Sequence, residues 1–293
     1  FHNRSQQTFC YKDYLLQADP RIDMAFTNSG AELSLSASDR IGEVSWSVSG
    51  NVSYLRNRTS FLEPDISRII GSYNTGITDF NVNTVIEQGY PMWSFRGYKA
   101  VGVDPQTGKG IYAEVVEDGE YNYADEQEIG SGIPPLSYGI SISLAYRGFD
   151  LAVTGSGVAG NQIYSCLWST VIPMQNTYAE LWESTWQAPG DNAAYPSVNN
   201  WSTFVNKSSF NLWNGSFFKL RQIQLGYSLP ESLLRKIWTK QIRIYASLDN
   251  FVCLTNYPGL DPETVITSDP SIGVEMGAFP DPKQISFGIN LAF

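Results

Sequence analysis

No run of eighteen or more apolar residues occurs anywhere in this sequence, which excludes a membrane-spanning helix. Charge is also scarce. Asp, Glu, Lys and Arg make up 16% of the chain, against roughly 25% in soluble domains. Lys and Arg are the minority, 19 against 29 acids. Without clustered cations there is no surface for phosphates, so nucleic acid is not an expected partner. The one histidine, His2, sits at the very start, and neither a Ser-His nor a Cys-His pair finds a base. Cys10, Cys166 and Cys253 are far apart, odd in number and without a CxxC or zinc spacing. They read as small apolar fillers, at least one of them unpaired. Gly155-Ser-Gly157 alone is no dinucleotide loop, and the paired carboxylates sit in an acidic loop rather than flanking a cleft. No enzyme, cofactor or metal site is expected.

What the sequence has is alternation. In Pro282-Lys-Gln-Ile-Ser-Phe-Gly-Ile-Asn-Leu-Ala-Phe293, Ile285, Phe287, Ile289, Leu291 and Phe293 share one face of a strand; Gln284, Ser286, Gly288, Asn290 and Ala292 share the other. Similar runs place Leu33, Leu35 and Ala37 opposite Glu32, Ser34 and Ser36. Val44, Trp46, Val48 and Val52 stand opposite Ser45, Ser47, Ser49 and Asn51. Further runs fall at 138–146, 149–153, 222–229 and 242–249. About ten residues suffice for a tilted strand to cross a bilayer, and one apolar face backed by one small, polar face suits a barrel wall between lipid and a wet lumen. Ile223, Leu225, Ile244, Leu248, Ile285, Phe287 and Ile289 are expected to face lipid, with Arg243, Tyr245 and Asp249 in the lumen. If Ile289 is near mid-bilayer, a Lys there should cost about 2–4 kcal/mol, and a Lys at the lumen-facing Asn290 far less.

The connections sort by length. Asp39 to Glu43, Arg147-Gly148 and 230–240 are short, the last with room for one helical turn at Glu231–Ile237; 55–135, 159–215 and 252–281 are long. Short and long alternate, as tight periplasmic turns alternate with large external loops in outer-membrane barrels. To keep that alternation, Trp93–Val103 and Ile111–Val116 must form a hairpin inside the first long loop, turned at Asp104-Pro-Gln-Thr-Gly108. With a first strand near Thr8–Tyr11, the chain supplies roughly eight strands. The expected fold class is all-β: an antiparallel transmembrane β-barrel segment with long extracellular loops. A secreted β-sandwich adhesion or glycan-binding module and a small self-closed porin are the alternatives.

Five motifs, in order, resemble the C-terminal part of the SusC-type TonB-dependent transporters, the starch-utilisation-system family of outer-membrane importers. Asn28-Ser-Gly-Ala-Glu-Leu33 resembles that family's Asn-x-Gly-x-Glu-Leu start of a strand. Gly89-Tyr-Pro-Met-Trp-Ser-Phe-Arg-Gly-Tyr98 resembles its Gly-x-Pro-x-x-x-Phe-x-Gly-Tyr segment, and Tyr146-Arg-Gly-Phe-Asp-Leu151 its Tyr-Lys-Gly-Phe-Asp-Leu turn. Ser216-Phe-Phe-Lys-Leu-Arg-Gln-Ile-Gln-Leu-Gly-Tyr227 and Leu254-Thr-Asn-Tyr-Pro-Gly-Leu-Asp-Pro262 are similar to two further family segments. The resemblance implies a 22-strand barrel of which residues 1–293 are about the last eight strands, with the preceding strands, the plug and the TonB-contacting segment ahead of Phe1. It implies import of oligosaccharides or peptides across the outer membrane of a Gram-negative bacterium. The implied partners are a SusD-like surface lipoprotein, the TonB complex, the barrel-assembly machinery and outer-membrane lipid. Phe293 would belong to the signal that machinery reads. The start Phe1-His-Asn-Arg has no initiator Met and no leader-like apolar run, as expected of a piece of a larger protein.

Two loops carry the candidate sites. Between Asp104 and Pro135 stand eight acids and one Lys, which is −7 of the net −10. Here Glu114, Asp118 and Asp125 fall where the family usually carries an Asp-x-Asn-Gly-Asp-Gly turn, but Val116 and Glu117 replace an oxygen donor and a Gly that a calcium-like cage wants. A solvated acidic loop is the simpler reading. The second long loop carries Trp168, Trp182, Trp186, Trp201 and Trp213 among Asn192, Asn199 and Asn200. Flat rings beside amides suit a sugar or a peptide, and equally suit packing of the loop or the seating of a lid protein. Trp182, Trp186, Trp201, Asn199 and Asn200 are the candidate substrate-binding residues.

Overall fold

The computed structural model describes residues 2–10, 21–74, 81–166, 179–200, 203–234, 239–265, 267 and 270–292. Phe293, Trp168, Trp201 and Trp238 lie outside the described residues. Eight strands form one antiparallel sheet: β1 (His2–Cys10), β2 (Arg21–Ile41), β3 (Val44–Leu62), β4 (Leu136–Tyr146), β5 (Phe149–Ala159), β6 (Phe217–Ser228), β7 (Gln241–Thr255) and β8 (Gln284–Ala292). Each pairs with its neighbour in chain order from β1 to β8. Among the described residues β1 and β8 are the two edges of that sheet. The short connections are as expected. Gly42 turns β2 into β3 at φ 63°, and Arg147 and Gly148, both left-handed at φ 47° and 86°, make the two-residue turn into β5. The turn after β6 holds a short helix, Glu231–Leu234.

Register converts the alternation into two surfaces, since partners on adjacent strands project to the same side. Val48, Ile142, Val153, Ile223, Leu248 and Ile285 form one row across six strands. Trp46, Leu144, Leu151, Leu225, Ala246 and Phe287 form the next. Between them on the other face runs Ser47, Ser143, Ala152, Gln224, Ser247 and Ser286. The apolar face is open: Phe287 is 81% exposed, Ile289 62% and Leu225 52%. Contiguous apolar surface on that scale needs lipid, not water.

Aromatic rows bracket this band. Tyr146, Phe149 and Tyr227 are in register next to the short turns, with Phe149 and Tyr227 ring centroids 4.5 Å apart. Eight residues up β4, Tyr138 stacks on Phe218 at 6.0 Å across Gly157. These rows stand where aromatic girdles mark the two interfaces. Two expectations are refined by this frame. Ile289 pairs with Ile244 beside Tyr227, in the row next to the short turns, so the mid-bilayer row is that of Ile142 and Ile223. The first strand pairs with Arg21–Ser29 of β2, beyond the stretch that carries the apolar rows. Within residues 21–292 seven strands carry the apolar rows, and β1 is described where it pairs with the external end of β2.

At about 3.3 Å per residue, the 21-residue β2 and 19-residue β3 run well past any hydrocarbon core. Their far ends bury Met24, Phe26 and Leu62 against Ile86 of the first long loop. That loop has a sheet of its own, Arg68–Asn74, Asn81–Glu87, Ser94–Gly97 and Gln127–Ser131. The expected hairpin is present in shorter form, Ala100–Val103 on Gly110–Tyr112. Ser94–Gly97, read as part of it, pairs instead with Gln127–Ser131. Among the described residues, none of the loop strands between Arg68 and Ser131 joins the eight-stranded sheet.

Candidate lumen wall and external loop surface

The family-like segment 89–98 clamps the two large loops together. Phe95 is buried with Tyr164 and Val274. Arg96 pairs with Glu87 and donates to the Glu126 carbonyl at 2.7 Å. A Cβ on Gly97 would sit 1.8 Å from the Lys207 carbonyl oxygen, so only Gly allows this approach. Tyr98 donates its amide to the same carbonyl at 2.9 Å and its ring lies 4.8 Å from Phe204. Burial, with Glu126 nearby, pushes the Tyr98 phenol up to about 12. It is a packing residue, not an acid.

The turn at Asp104–Gly108 is gripped by the second loop. Trp186 Nε1 and the Gly190 amide both donate to the Pro105 carbonyl, at 2.9 and 2.8 Å. Asn200 Nδ2 donates to the Thr107 carbonyl at 2.7 Å, and the Ser197 amide to that of Gly108 at 2.8 Å. The Trp186 ring also fills the space above Gly108. So Trp186 and Asn200 spend their polar groups on the neighbouring loop. Trp182, on the short helix Ala179–Ser184, is 50% exposed, and Asn199 is exposed too.

The acidic loop is self-capped. Asp125, fully buried, accepts the amides of Val115 at 2.9 Å, Val116 at 3.1 Å and Asn122 at 3.0 Å. Those hydrogen bonds, led by Asn122, hold its carboxyl below the ordinary range. Asp118 accepts from the Glu120 amide and from Asn122 Nδ2. The carboxylates face backbone amides, and no metal-holding group of His, Cys, Asp and Glu occurs among the described residues. Cys166, buried beside Glu275, has its thiol pushed up to about 12 by burial, which makes it inert.

The inner face carries charge that simple alternation places wrongly. Counting by twos up β6 from Ile223 puts Arg221 and Lys219 toward lipid. Two bulges prevent this. Leu220 and Gln222 face adjacent residues, Gly155 and Thr154, on β5, and face Val252 and Asp249 on β7. Each strand thus gains one residue over its neighbour, and Asn250 takes a left-handed φ of 58° within the second bulge. The phase inverts at Arg221, so Phe218 and Leu220 join the outer face while Lys219 and Arg221 turn inward. Lys219, 2% exposed, reaches Asp261 at 2.9 Å, Glu263 at 2.7 Å and Asp281 at 3.2 Å. Arg221 donates to Ser156 Oγ at 2.8 Å and to Glu263 at 2.6 Å. These five charges tie the last long loop to the wall, joining the Lys of one family-like segment to the Asp-Pro of another. Sequence alone missed this cluster; its only trace was the broken alternation between Leu220 and Ile223.

Lower on the same face, Arg243 forks onto Asp150, with Nε to Oδ1 at 2.9 Å, and lies 5.1 Å from the Tyr245 ring centroid. Gly226 and Gly288 leave room for these side chains. Arg243 and Tyr245 were expected in the lumen, and the register bears this out.

No family model matches the chain. Among curated proteins it is 26% identical to TonB-dependent receptor P3 of Formosa agariphila over 91% of its length and 28% of that protein. It is 22% identical to TonB-dependent receptor SusC of Bacteroides thetaiotaomicron, over 91% of the chain and 26% of the relative. A solved structure described as the RagAB peptide transporter superposes with a TM-score of 0.76 at 26% identity, covering 92% of this chain and 30% of that one. Over most of its length the chain is similar to TonB-dependent receptors, SusC among them. It spans under a third of the length of the relatives it matches. It is a piece of transmembrane β-barrel wall with folded external loops, and its relatives are receptors and transporters rather than enzymes.

Proposed function

We propose that this chain forms wall and external loops of an outer-membrane importer that takes up oligosaccharides or peptides, with TonB-relayed energy and a SusD-like lipoprotein closing over the loops. Residues 1–293 act as one barrel portion, completed by further strands and a plug, in the outer membrane of a Gram-negative bacterium. The observation that carries this reading is the two-faced wall: unbroken apolar rows outside, and Ser, Gln and Asn rows inside. Polar cargo would meet hydroxyls and amides on the inner face between the charged groups at Asp150, Lys219, Arg221 and Arg243. Two sheet edges with unpaired backbone groups support completion by further strands, because lipid satisfies no N–H or C=O. The relatives' names and the RagAB neighbours support import.

Of the candidate contacts, the exposure of Trp182 and Asn199 supports a meeting with ligand or lid, while Trp186 and Asn200 hold the neighbouring turn. The test uses the full-length receptor carrying Trp182→Ala or Trp186→Ala, with cargo uptake and co-purification of the lipoprotein measured together. Loss of uptake with the lipoprotein retained is expected for Trp182→Ala if it touches cargo. Loss of the lipoprotein assigns the residue to the lid interface. A receptor whose deletion changes uptake of no oligosaccharide or peptide contradicts the import reading.

A further inference from the structure

The outer face changes character at its external end. Val48, Val52 and Tyr54 of β3 share that face, and the register with β2 runs unbroken from Val44 to Thr59. The same count of two therefore carries the face on to Arg56 and Arg58. Their partners on β2 are Ser29 and Thr27, where the rows below pair Tyr54 with Ala31 and Val52 with Leu33. Both arginines are exposed. Tyr54 stands one row beyond Val52, the partner of Tyr138 in the external aromatic row. For a strand rising 3.3 Å per residue and tilted about 40°, Arg56 and Arg58 lie about 5 and 10 Å further from the membrane centre than Tyr54. The headgroup layer adds roughly 5–8 Å to each side of the hydrocarbon core. The arginines thus stand at headgroup depth, on the side of the wall that faces away from the lumen.

They line a hollow of about 390 Å³ together with Thr27, Ser29, Ser60 and Gln88. Ser60 is a bulge, left without a partner between the Ala25–Phe61 and Phe26–Thr59 pairs. Its hydroxyl donates to the Ala25 carbonyl at 3.0 Å, and its own carbonyl accepts from Gln88 Nε2 at 3.3 Å. Gly89, left-handed at φ 98°, brings the chain against Arg58, where a Cβ would lie 3.5 Å from Nη2. Among the described residues no carboxylate lines the hollow. The nearby acids are engaged elsewhere: Glu32 accepts from Ser53 Oγ on the lumen face, and Glu87 pairs with Arg96. Neither Arg56 nor Arg58 has an acidic partner among the described residues. Two cations in one hollow repel each other, and an anion with several oxygens relieves that. Phosphate fits best, because its oxygens take the guanidinium fork in pairs. The hollow is larger than one phosphate, and the hydroxyls of Thr27 and Ser29 suit a sugar that carries it.

We infer that Arg56 and Arg58 form a site on the outer wall for the phosphorylated headgroup of a glycolipid in the external leaflet. The site faces lipid rather than lumen, so it is independent of what the barrel imports. It is tested on the full-length receptor in zwitterionic detergent, with bound lipid counted by native mass spectrometry. The probes are bisphosphorylated lipid A, the same lipid dephosphorylated, phosphatidylglycerol and inorganic phosphate. Bisphosphorylated lipid A is expected to bind most tightly, and the double variant Arg56→Gln, Arg58→Gln to weaken it about tenfold or more, the effect of losing charge-assisted hydrogen bonds. Arg58→Lys keeps the charge and loses the fork, and is expected to fall between the two. Arg40→Gln, at the opposite end of β2, is expected to bind like wild type. Thermal unfolding without lipid shows whether the double variant is folded; if it is not, Arg58→Lys carries the test. Equal binding of the two forms of lipid A, binding of phosphatidylglycerol or inorganic phosphate as tight as that of lipid A, or no binding at all overturns the site. So does wild-type binding by the folded variants. Loss of the lipoprotein from the double variant with lipid A binding unchanged assigns the arginines to a protein contact and overturns it as well.

Discussion

Lys219→Met is expected to destabilise the full-length receptor by about 3–5 kcal/mol, the usual result of removing one partner from a buried ion cluster. Lys219 is 2% exposed and neutralises carboxylates of Asp261, Glu263 and Asp281 that the loop brings to it. Met keeps the length of the stem and removes the charge, leaving Arg221 as the only cation among the five. Hydrogen exchange across 256–283 should rise first, because the loop is what the cluster holds. Low pH should imitate the substitution. Burial pushes the Glu263 carboxyl up, but hydrogen bonds from Arg221 and Lys219 outweigh it and hold it below the ordinary range. Its contribution is therefore complete above the unfolded value of roughly 4.3 and is lost as the pH falls through the lower folded value. A Lys219→Met receptor with unchanged exchange across the loop would contradict this role.

Ile223→Lys is expected to cost about 2–4 kcal/mol in detergent refolding, the figure for a cation on the lipid face at mid-bilayer. Ile223 belongs to the row midway between the two aromatic rows, with Val153 and Leu248 beside it. Gln222→Lys, one residue away on the lumen face, should cost far less. Ile289→Lys, in the row of Tyr227, should cost about 0–1 kcal/mol, as near an interface. Equal losses for Ile223→Lys and Gln222→Lys would mean that the two faces are misassigned.

The strands and their faces were legible because a period of two survives in composition: Ser, Gln and Gly alternate with Val, Ile and Leu over runs of about ten residues. Loop lengths then fixed which turns share a side. Depth was not legible, since alternation marks a face and not a height, and only register across several strands showed Ile223 rather than Ile289 at the centre. The bulges were hidden for a similar reason. One extra residue inverts the phase without changing composition, so counting by twos from Ile223 puts Lys219 and Arg221 on the wrong face. Their partners are 42 to 62 positions further on, a distance no local pattern reports. In the second loop, Trp and Asn content pointed to a busy surface but could not separate Trp186, turned onto Gly108, from the exposed Trp182.

The central claim is that this chain is a barrel wall with lipid on one face, lumen on the other, and a phase inversion at Arg221. Single spin labels at each position from Phe217 to Gly226 of the full-length receptor in liposomes, read for accessibility to oxygen against a water-soluble nickel complex, test it most directly. High oxygen accessibility is predicted at Phe218, Leu220, Ile223 and Leu225, and protection from oxygen at Phe217, Lys219, Arg221, Gln222 and Gln224. Two consecutive lumen-facing positions, Arg221 and Gln222, should mark the inversion. Unbroken alternation through Arg221, or no alternation at all, would contradict the account.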